Sequence, residues 1–256
     1  VIRPVEAISF DLWDTLFIDD SDEPVRARQG MRPKKAERRF LAYQALSRHH
    51  PVAKEQVDLA YDVVDAAFRK VWYEHQVTWT VRQRLGILLD GLQLTLPEDE
   101  LAELIRAHEE MELGVRPRLV PGATASLERL RGRYKLAVVS DAIFSPGRAL
   151  RELLRGENIL GFFEALIFSD EAGCSKPNPA VFLQAAAQLG VPAGHLVHIG
   201  DREHTDVRGA HAAGARAILF TAIRMGEPDN SADAVCHGYE ELPQILARLD
   251  GAQTNR

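Results

Sequence analysis

A series of short apolar, β-favouring runs separated by helical pattern constrains this chain more than any other feature. The runs are Ala7–Phe10, Tyr134–Val139, Ala165–Phe168, His195–Ile199, Ala217–Phe220 and a shorter one near Ala232–Cys236. A strand that is apolar throughout, rather than alternating, is buried on both faces, as in a parallel sheet covered by helices. The helical stretches between them are Ala123–Arg131, Pro146–Arg155, Ala180–Leu189 (stopped by Gly190), Val207–Ala213 and Glu240–Leu249. Strands alternating with helices imply a three-layer α/β fold with a parallel sheet.

The interval between the first two strands breaks that rhythm. An acidic patch, Asp19, Asp20, Asp22 and Glu23, leads into a basic run of Arg26, Arg28, Arg32, Lys34, Lys35, Arg38 and Arg39. Most of these charges are read as a solvated face, with one or two free to meet an anion. From Pro33 to Leu113 the pattern is helical almost throughout. Val57, Tyr61, Val64, Phe68 and Trp72 repeat at helical spacing, as do Val81, Leu85, Leu88 and Leu89. Pro97–Leu113 opens with acids and aligns Leu101, Leu104, Ile105 and His108 on one face. Four helices joined by turns at His50-Pro51 and Asp90-Gly91 predict a compact bundle. Trp72, Tyr73 and Trp79 are assigned to its core, and His108 to packing. The division is therefore an α/β core over 1–18 and 116–256, with a helical cap over 19–115 inserted after the first strand.

In a parallel sheet every strand carries its following loop to the same edge, where ligands bind. Those loops hold Asp11 and Asp14, Ser140 and Asp141, Lys176, and Asp201 and Asp206. Carboxylates brought together repel unless a proton or cation relieves them. Oxygen ligands that leave room for water and phosphate suit Mg²⁺. Ser140 offers a hydroxyl, the amide after it an N–H for an anion, and Lys176 a mobile positive charge. Together these groups describe displacement at a charged centre through a covalent intermediate.

The motifs resemble those of the haloacid dehalogenase (HAD) superfamily of hydrolases. Phe10–Leu16 (FDLWDTL) resembles its nucleophile motif and Val138–Asp141 (VVSD) the second. Lys176 in SKPNP resembles the third, and Ile199–Asp206 (IGDREHTD) the acidic fourth, continued by Val207–Gly214. The resemblance implies a Rossmann-like core with a cap. It makes Asp11 the nucleophile, Ser140 and the Asp141 amide the phosphate ligands, and Lys176 the charge-balancing lysine. It places Mg²⁺ on Asp11, the backbone carbonyl of Trp13 and Asp201, with Asp206 in the outer shell.

One position departs from the family's phosphatases, which carry a second Asp where this chain has Trp13. Indole transfers no proton at neutral pH, and acid–base help is typically worth about 10²–10⁴-fold. Asp14 is assigned to bracing the loop. An aromatic in that place also resembles the haloacid dehalogenases, whose halide leaves without a proton and without a metal. The paired acids Asp201 and Asp206 favour Mg²⁺ and phosphate, because buried acids cost free energy unless neutralised. Three readings follow. The first is a Mg²⁺-dependent phosphatase, turning over aryl or acyl phosphates better than alkyl ones. The second is a metal-independent 2-haloacid dehalogenase, with an arginine of the Arg26–Arg39 run on the substrate carboxylate. The third is a binding or regulatory protein with weakened catalysis.

The bland assignments are a solvent-facing His204, a buried hydrogen-bonded His198, a His211 packed on its helix, and a Cys174 without a role. The partner expected is a small anionic molecule. A net charge of −6 gives no footprint for nucleic acid. No apolar run approaches the roughly 20 residues that span a bilayer, and no leader pattern precedes the first strand. Two cysteines form no disulfide framework. The expectation is a cytoplasmic chain.

Overall fold

The computed structural model describes residues 4–226 and 229–251, so the outer ends of the expected core, 1–3 and 252–256, lie outside it. Six strands form one sheet: β1 (Ala7–Phe10), β2 (Lys135–Ser140), β3 (Ala165–Phe168), β4 (Leu196–Gly200), β5 (Arg216–Phe220) and β6 (Ala234–Cys236). Their order is β3-β2-β1-β4-β5-β6, and every pairing is parallel. The two faces of the sheet divide the side chains by the two-residue period of a strand. Ile8, Phe10, Leu136 and Val138 enter one apolar core, and Ala7, Ala137 and Val139 the other. Both faces being covered explains why the strands read as apolar throughout.

The chain moves outward from β1 to β2 to β3, then returns to place β4 on the other side of β1. The reversal opens a crevice at the carboxyl ends of β1 and β4, the position where open sheets of this kind bind ligands. Phe10 pairs with Ile199, and the Asp11 amide donates to the Ile199 carbonyl at 2.8 Å. Asp11 and Asp201 therefore leave adjacent strands at almost the same level.

Between β1 and β2 lie α1 (Glu23–Arg28), α2 (Lys34–Ser47), α3 (Lys54–His75), α4 (Val81–Leu92), α5 (Glu98–Glu109), the short α6 (Met111–Gly114) and α7 (Ala123–Leu130). Helices α2 to α5 close around a third apolar core that includes Leu46, Val57, Tyr61, Val64, Leu85, Leu88 and Ile105. Thr80 caps α4 by accepting from the Gln83 amide, and the Gln83 side chain accepts in return from the Thr80 amide. His108 packs as expected: its Nδ1 lies 2.8 Å from the Leu104 carbonyl and its Nε2 2.8 Å from the Tyr61 hydroxyl. The remaining helices are α8 (Gly147–Gly156), α9 (Ser169–Ala172), α10 (Pro179–Leu189), α11 (Arg208–Ala212) and α12 (Leu242–Leu249). Asn178 caps α10 on the Ala180 amide, and Gly190 ends it at φ 65°.

Several local expectations are corrected. Helix α4 runs through Asp90-Gly91, since its apolar face continues to Leu92, and ends at Gln93 in the left-handed region. Between the strand Ala165–Phe168 and the helix expected from Ala180, the sequence pattern gives no element, yet the chain begins there with the helical turn α9. Arg26, Lys34 and Arg38 are buried rather than solvated. The Lys34 ammonium meets Asp22 at 2.7 Å and Asp20 at 3.0 Å, and Arg38 meets Glu112 at 3.0 Å. Acids of the preceding patch and of α6 thus neutralise Lys34 and Arg38 from within, while Arg26 donates to the Arg32 carbonyl.

Candidate active site

Asp11 is 6% exposed, on the backbone that leaves β1. Lys176 comes from the loop between α9 and α10 and is buried. Its ammonium donates to Asp11 Oδ1 and to Asp206 Oδ1, both at 2.6 Å. Burial opposes the charge on Lys176, but Asp11, Asp206 and Asp141 outweigh it and hold the lysine protonated far above its usual range. Asp11 is pushed the other way: burial raises its pKa, Lys176 opposes, and Asp206 adds repulsion.

The loop after β4 turns tightly enough that a Cβ on Gly200 would fall 2.3 Å from Asp206 Cγ. The chain then makes a π-helical turn over Glu203–Val207, a rare form frequent at functional sites. Every oxygen of Asp206 is engaged within the protein. Oδ1 also accepts from His198 Nε2 at 3.1 Å, and Oδ2 accepts from the Arg202 amide at 3.0 Å and the Thr205 hydroxyl at 3.3 Å. Burial opposes ionisation here as well, yet Lys176 and His198 hold Asp206 well below the carboxylate range. His198 is buried and hydrogen-bonded, as expected. With Nε2–H spent on Asp206, its Nδ1 accepts from the Ser9 hydroxyl at 2.9 Å.

Asp201 is different. It is 3% exposed, and its Oδ2 has no hydrogen-bond partner among the described residues, the Arg202 guanidinium standing off at 3.6 Å. Burial and the Asp11 and Asp206 carboxylates push its pKa to about 8. One oxygen each of Asp11, Asp201 and Asp206 lie within 4.8 Å of one another. Such a set of hard oxygen donors, with one buried and accepting no hydrogen bond, fits a divalent cation.

Ser140 ends β2, and its buried hydroxyl is likewise without a partner among the described residues. Asp141 follows, its Oδ1 accepting from the Lys176 amide at 3.0 Å and its Oδ2 from the Trp72 indole at 3.1 Å. Burial lifts its pKa to about 6. Asp11, Trp13, Ser140, Asp141 and Lys176 share one cleft of about 280 Å³, whose other wall is built by Lys34, Arg38 and Trp72. Asp14 sits outside it at φ 54°, its carboxylate accepting the Asp19 amide at 3.0 Å, which is the bracing role expected of it.

Sequence reasoning missed what the end of α3 does. Trp72 is a cleft wall bonded to Asp141, and Tyr73, 58% exposed, stacks on His204 with centroids 4.6 Å apart and planes 18° from parallel. Neither belongs to the bundle core, because α3 outlasts that core and its last turn reaches the sheet edge. His204 is accordingly covered by a ring rather than facing solvent. The Gln76 carbonyl accepts from the Ser175 amide at 2.8 Å, and the Thr78 and Ser169 hydroxyls meet at 2.7 Å. Spacing gave no signal for Trp72, which continues the apolar repeat of α3. His211 bonds Asp233 at 2.9 Å instead of packing on its helix. Cys174 does not line the cleft.

An open parallel sheet, with helices inserted after its first strand and buried acids paired to one lysine at its switch point, defines a recognisable class of α/β enzyme. The family model for haloacid dehalogenase-like hydrolases matches residues 5–214, and the chain belongs to that family. Among relatives of known name, the glyceraldehyde 3-phosphate phosphatase of Pyrococcus furiosus is 31% identical over 140 residues, covering 53% of this chain and 57% of that protein. The matched region thus spans little more than half the length of that relative. The HAD phosphatase from Thermococcus onnurineus superposes with a TM-score of 0.63 at 24% identity, over 94% of this chain and 98% of the other. A 2-haloacid dehalogenase from Pseudomonas syringae pv. Tomato DC3000 superposes equally well, with a TM-score of 0.64 at 24% identity over 95% and 99%. At such identities the likeness speaks to the fold alone, and the chemistry must be argued from the site.

Proposed function

We propose that this hydrolase is a Mg²⁺-dependent phosphatase that acts on a small phosphorylated molecule through an aspartyl-phosphate on Asp11. The observation that carries the reading is the trio Asp11, Asp201 and Asp206 within 4.8 Å, with Asp201 Oδ2 buried and accepting no hydrogen bond among the described residues. Asp11, the Trp13 carbonyl and Asp201 would hold the ion, with Asp206 in the outer shell. When bound, Mg²⁺ supplies positive charge to the phosphoryl oxygens and to the crowded carboxylates.

The chain's own residues do the rest. Lys176 keeps Asp11 ionised and in line while it attacks phosphorus. The Ser140 hydroxyl and the Asp141 amide bond the phosphoryl oxygens as charge develops. Asp206, bonded on both oxygens, fixes Lys176 and the loop that carries Asp201. The helical cap over 19–115 excludes water from the cleft and selects the substrate.

A metal-independent dehalogenase is the second reading, favoured by the indole of Trp13. Against it, Arg38, the arginine of the basic run that lines the cleft, is already paired with Glu112 at 3.0 Å, and Arg202, which also lines the cleft, lies 3.6 Å from Asp201. A panel of phosphate esters, acyl phosphates and 2-halo acids, run with Mg²⁺ and with EDTA, separates the two. Phosphate release that needs Mg²⁺ and disappears in Asp11→Asn is expected. Halide release that survives EDTA overturns it.

A further inference from the structure

Phosphoester hydrolysis requires a proton on the leaving oxygen and later a base for water, and Trp13 supplies neither. We propose that Asp19, at the mouth of the cleft, is the catalytic acid–base of this enzyme, a role that rests on the phosphatase reading. Five carboxylates line the cleft: Asp11, Asp19, Asp20, Glu112 and Asp141. Asp11 is the nucleophile. Asp141 has both oxygens engaged, by Lys176 and Trp72. Glu112 is bonded through Oε1 to Arg38 and through Oε2 to the Ser145 hydroxyl at 2.6 Å. Asp20 is ion-paired with Lys34 at 3.0 Å. Asp19 alone of the remaining four has neither an ion pair nor both oxygens bonded among the described residues; its Oδ1 accepts only the Asp20 amide, at 2.9 Å.

Backbone geometry places it there. Asp14, in the left-handed region, turns its carboxylate onto the Asp19 amide, so the loop after the nucleophile carries Asp19 to the same cleft that Asp11 and Trp13 line. The side chain keeps solvent contact, which lets it exchange protons. The surrounding protein and the Asp20 and Asp14 carboxylates raise its pKa to about 6, against Lys34, so both protonation states are populated near neutrality.

In the first step an Asp11 oxygen bonds phosphorus, the ester P–O bond breaks, and the leaving oxygen takes the Asp19 proton. In the second, water attacks phosphorus and gives its proton to Asp19 as the Asp11–phosphorus bond breaks. This changes the expectation set by Trp13 alone: the wild-type chain turns over alkyl phosphates as well as aryl ones.

The test measures kcat/KM with Mg²⁺ over a series of phosphate monoesters from nitrophenyl to simple alkyl. Asp19→Asn, an isosteric change at an exposed side chain, is expected to lower the alkyl values about 10²–10⁴-fold and the nitrophenyl value far less, with Tm unchanged. Adding Trp13→Asp to that variant should restore alkyl turnover, and Asp19→Glu should retain part of it. An Asp19→Asn enzyme with the wild-type alkyl-to-aryl ratio overturns the assignment while leaving the phosphatase standing. A wild-type chain that releases halide and no phosphate overturns the phosphatase reading, and this one with it.

Discussion

Replacing a carboxylate of the proposed cation site should make the cation-free protein more stable. Asp201 is the group that shows it best, because its carboxyl is buried, without a hydrogen bond on Oδ2 among the described residues and crowded by Asp11 and Asp206. In the unfolded chain this carboxyl titrates near 3.8; in the fold it titrates near 8. The folded protein therefore binds more protons than the unfolded one between those values, and stability falls as pH rises through that window. At pH 7 the shift corresponds to about 4 kcal/mol, an upper figure because neighbouring groups relax. Asp201→Asn removes the ionisable group and keeps its shape. In EDTA at pH 7 the variant is expected to gain about 2–4 kcal/mol, or roughly 4–16 °C in Tm for a chain of this size. Its stability should also be flatter between pH 4 and 8. With Mg²⁺ the order reverses in meaning: the wild-type Tm climbs with the ion and the variant's does not, since ligand binding stabilises only the state that binds. Scanning calorimetry of both proteins, with EDTA and with Mg²⁺, gives the comparison. An Asp201→Asn protein less stable than wild type in EDTA would show that the carboxylates are not in conflict, and the electrostatic argument for the cation would fail.

Two further outcomes follow from the cap. Trp72→Phe keeps the ring against the cleft but removes the indole N–H from Asp141 Oδ2; turnover should fall about tenfold, the equivalent of about 1.4 kcal/mol, with little change in Tm, as steady-state kinetics would read. His108, 1% exposed, is held neutral by burial at a pKa of about 4 against 6.5 unfolded. Its contribution is complete above pH 6.5 and is lost as pH falls toward 4, about 3 kcal/mol in all; His108→Phe should remove that share of the acid destabilisation in a series of melting curves from pH 7 to 4.

The parallel sheet was legible because both of its faces are covered, which leaves unbroken apolar runs such as Ala7–Phe10. The loops at its edge were legible because their order along the chain fixes them at one end. Asp11, Lys176, Asp201 and Asp206 meet there as the pattern requires. The bundle was legible as helices, but not its reach toward the sheet. Trp72 continues the apolar spacing of Val57, Tyr61, Val64 and Phe68, so periodicity assigns it to the core. What separates it is that α3 projects past the helices packed on it, a property of three dimensions. Likewise the basic run looks solvated until Asp20, Asp22 and Glu112 are found beside it, and Glu112 is more than seventy positions from Arg38 in sequence.

The balance of charge explains why those elements belong together. Four carboxylates, Asp11, Asp141, Asp201 and Asp206, crowd one buried lysine, and Asp206 is secured by Lys176, His198 and backbone N–H. The other three all have pKa values above the ordinary carboxylate range. Asp201 sits beside two more acids with a long 3.6 Å contact to Arg202 to offset them, where a hydrophobic residue of similar volume would do better for stability alone. The conflict makes sense where a divalent ion resolves it and a doubly charged phosphoryl group is then drawn to the same place. A site for halide displacement, which uses no cation, gains nothing from it. The sheet topology supplies the crowding, by ending β1 and β4 side by side, and the crowding is what the proposed cation chemistry rests on.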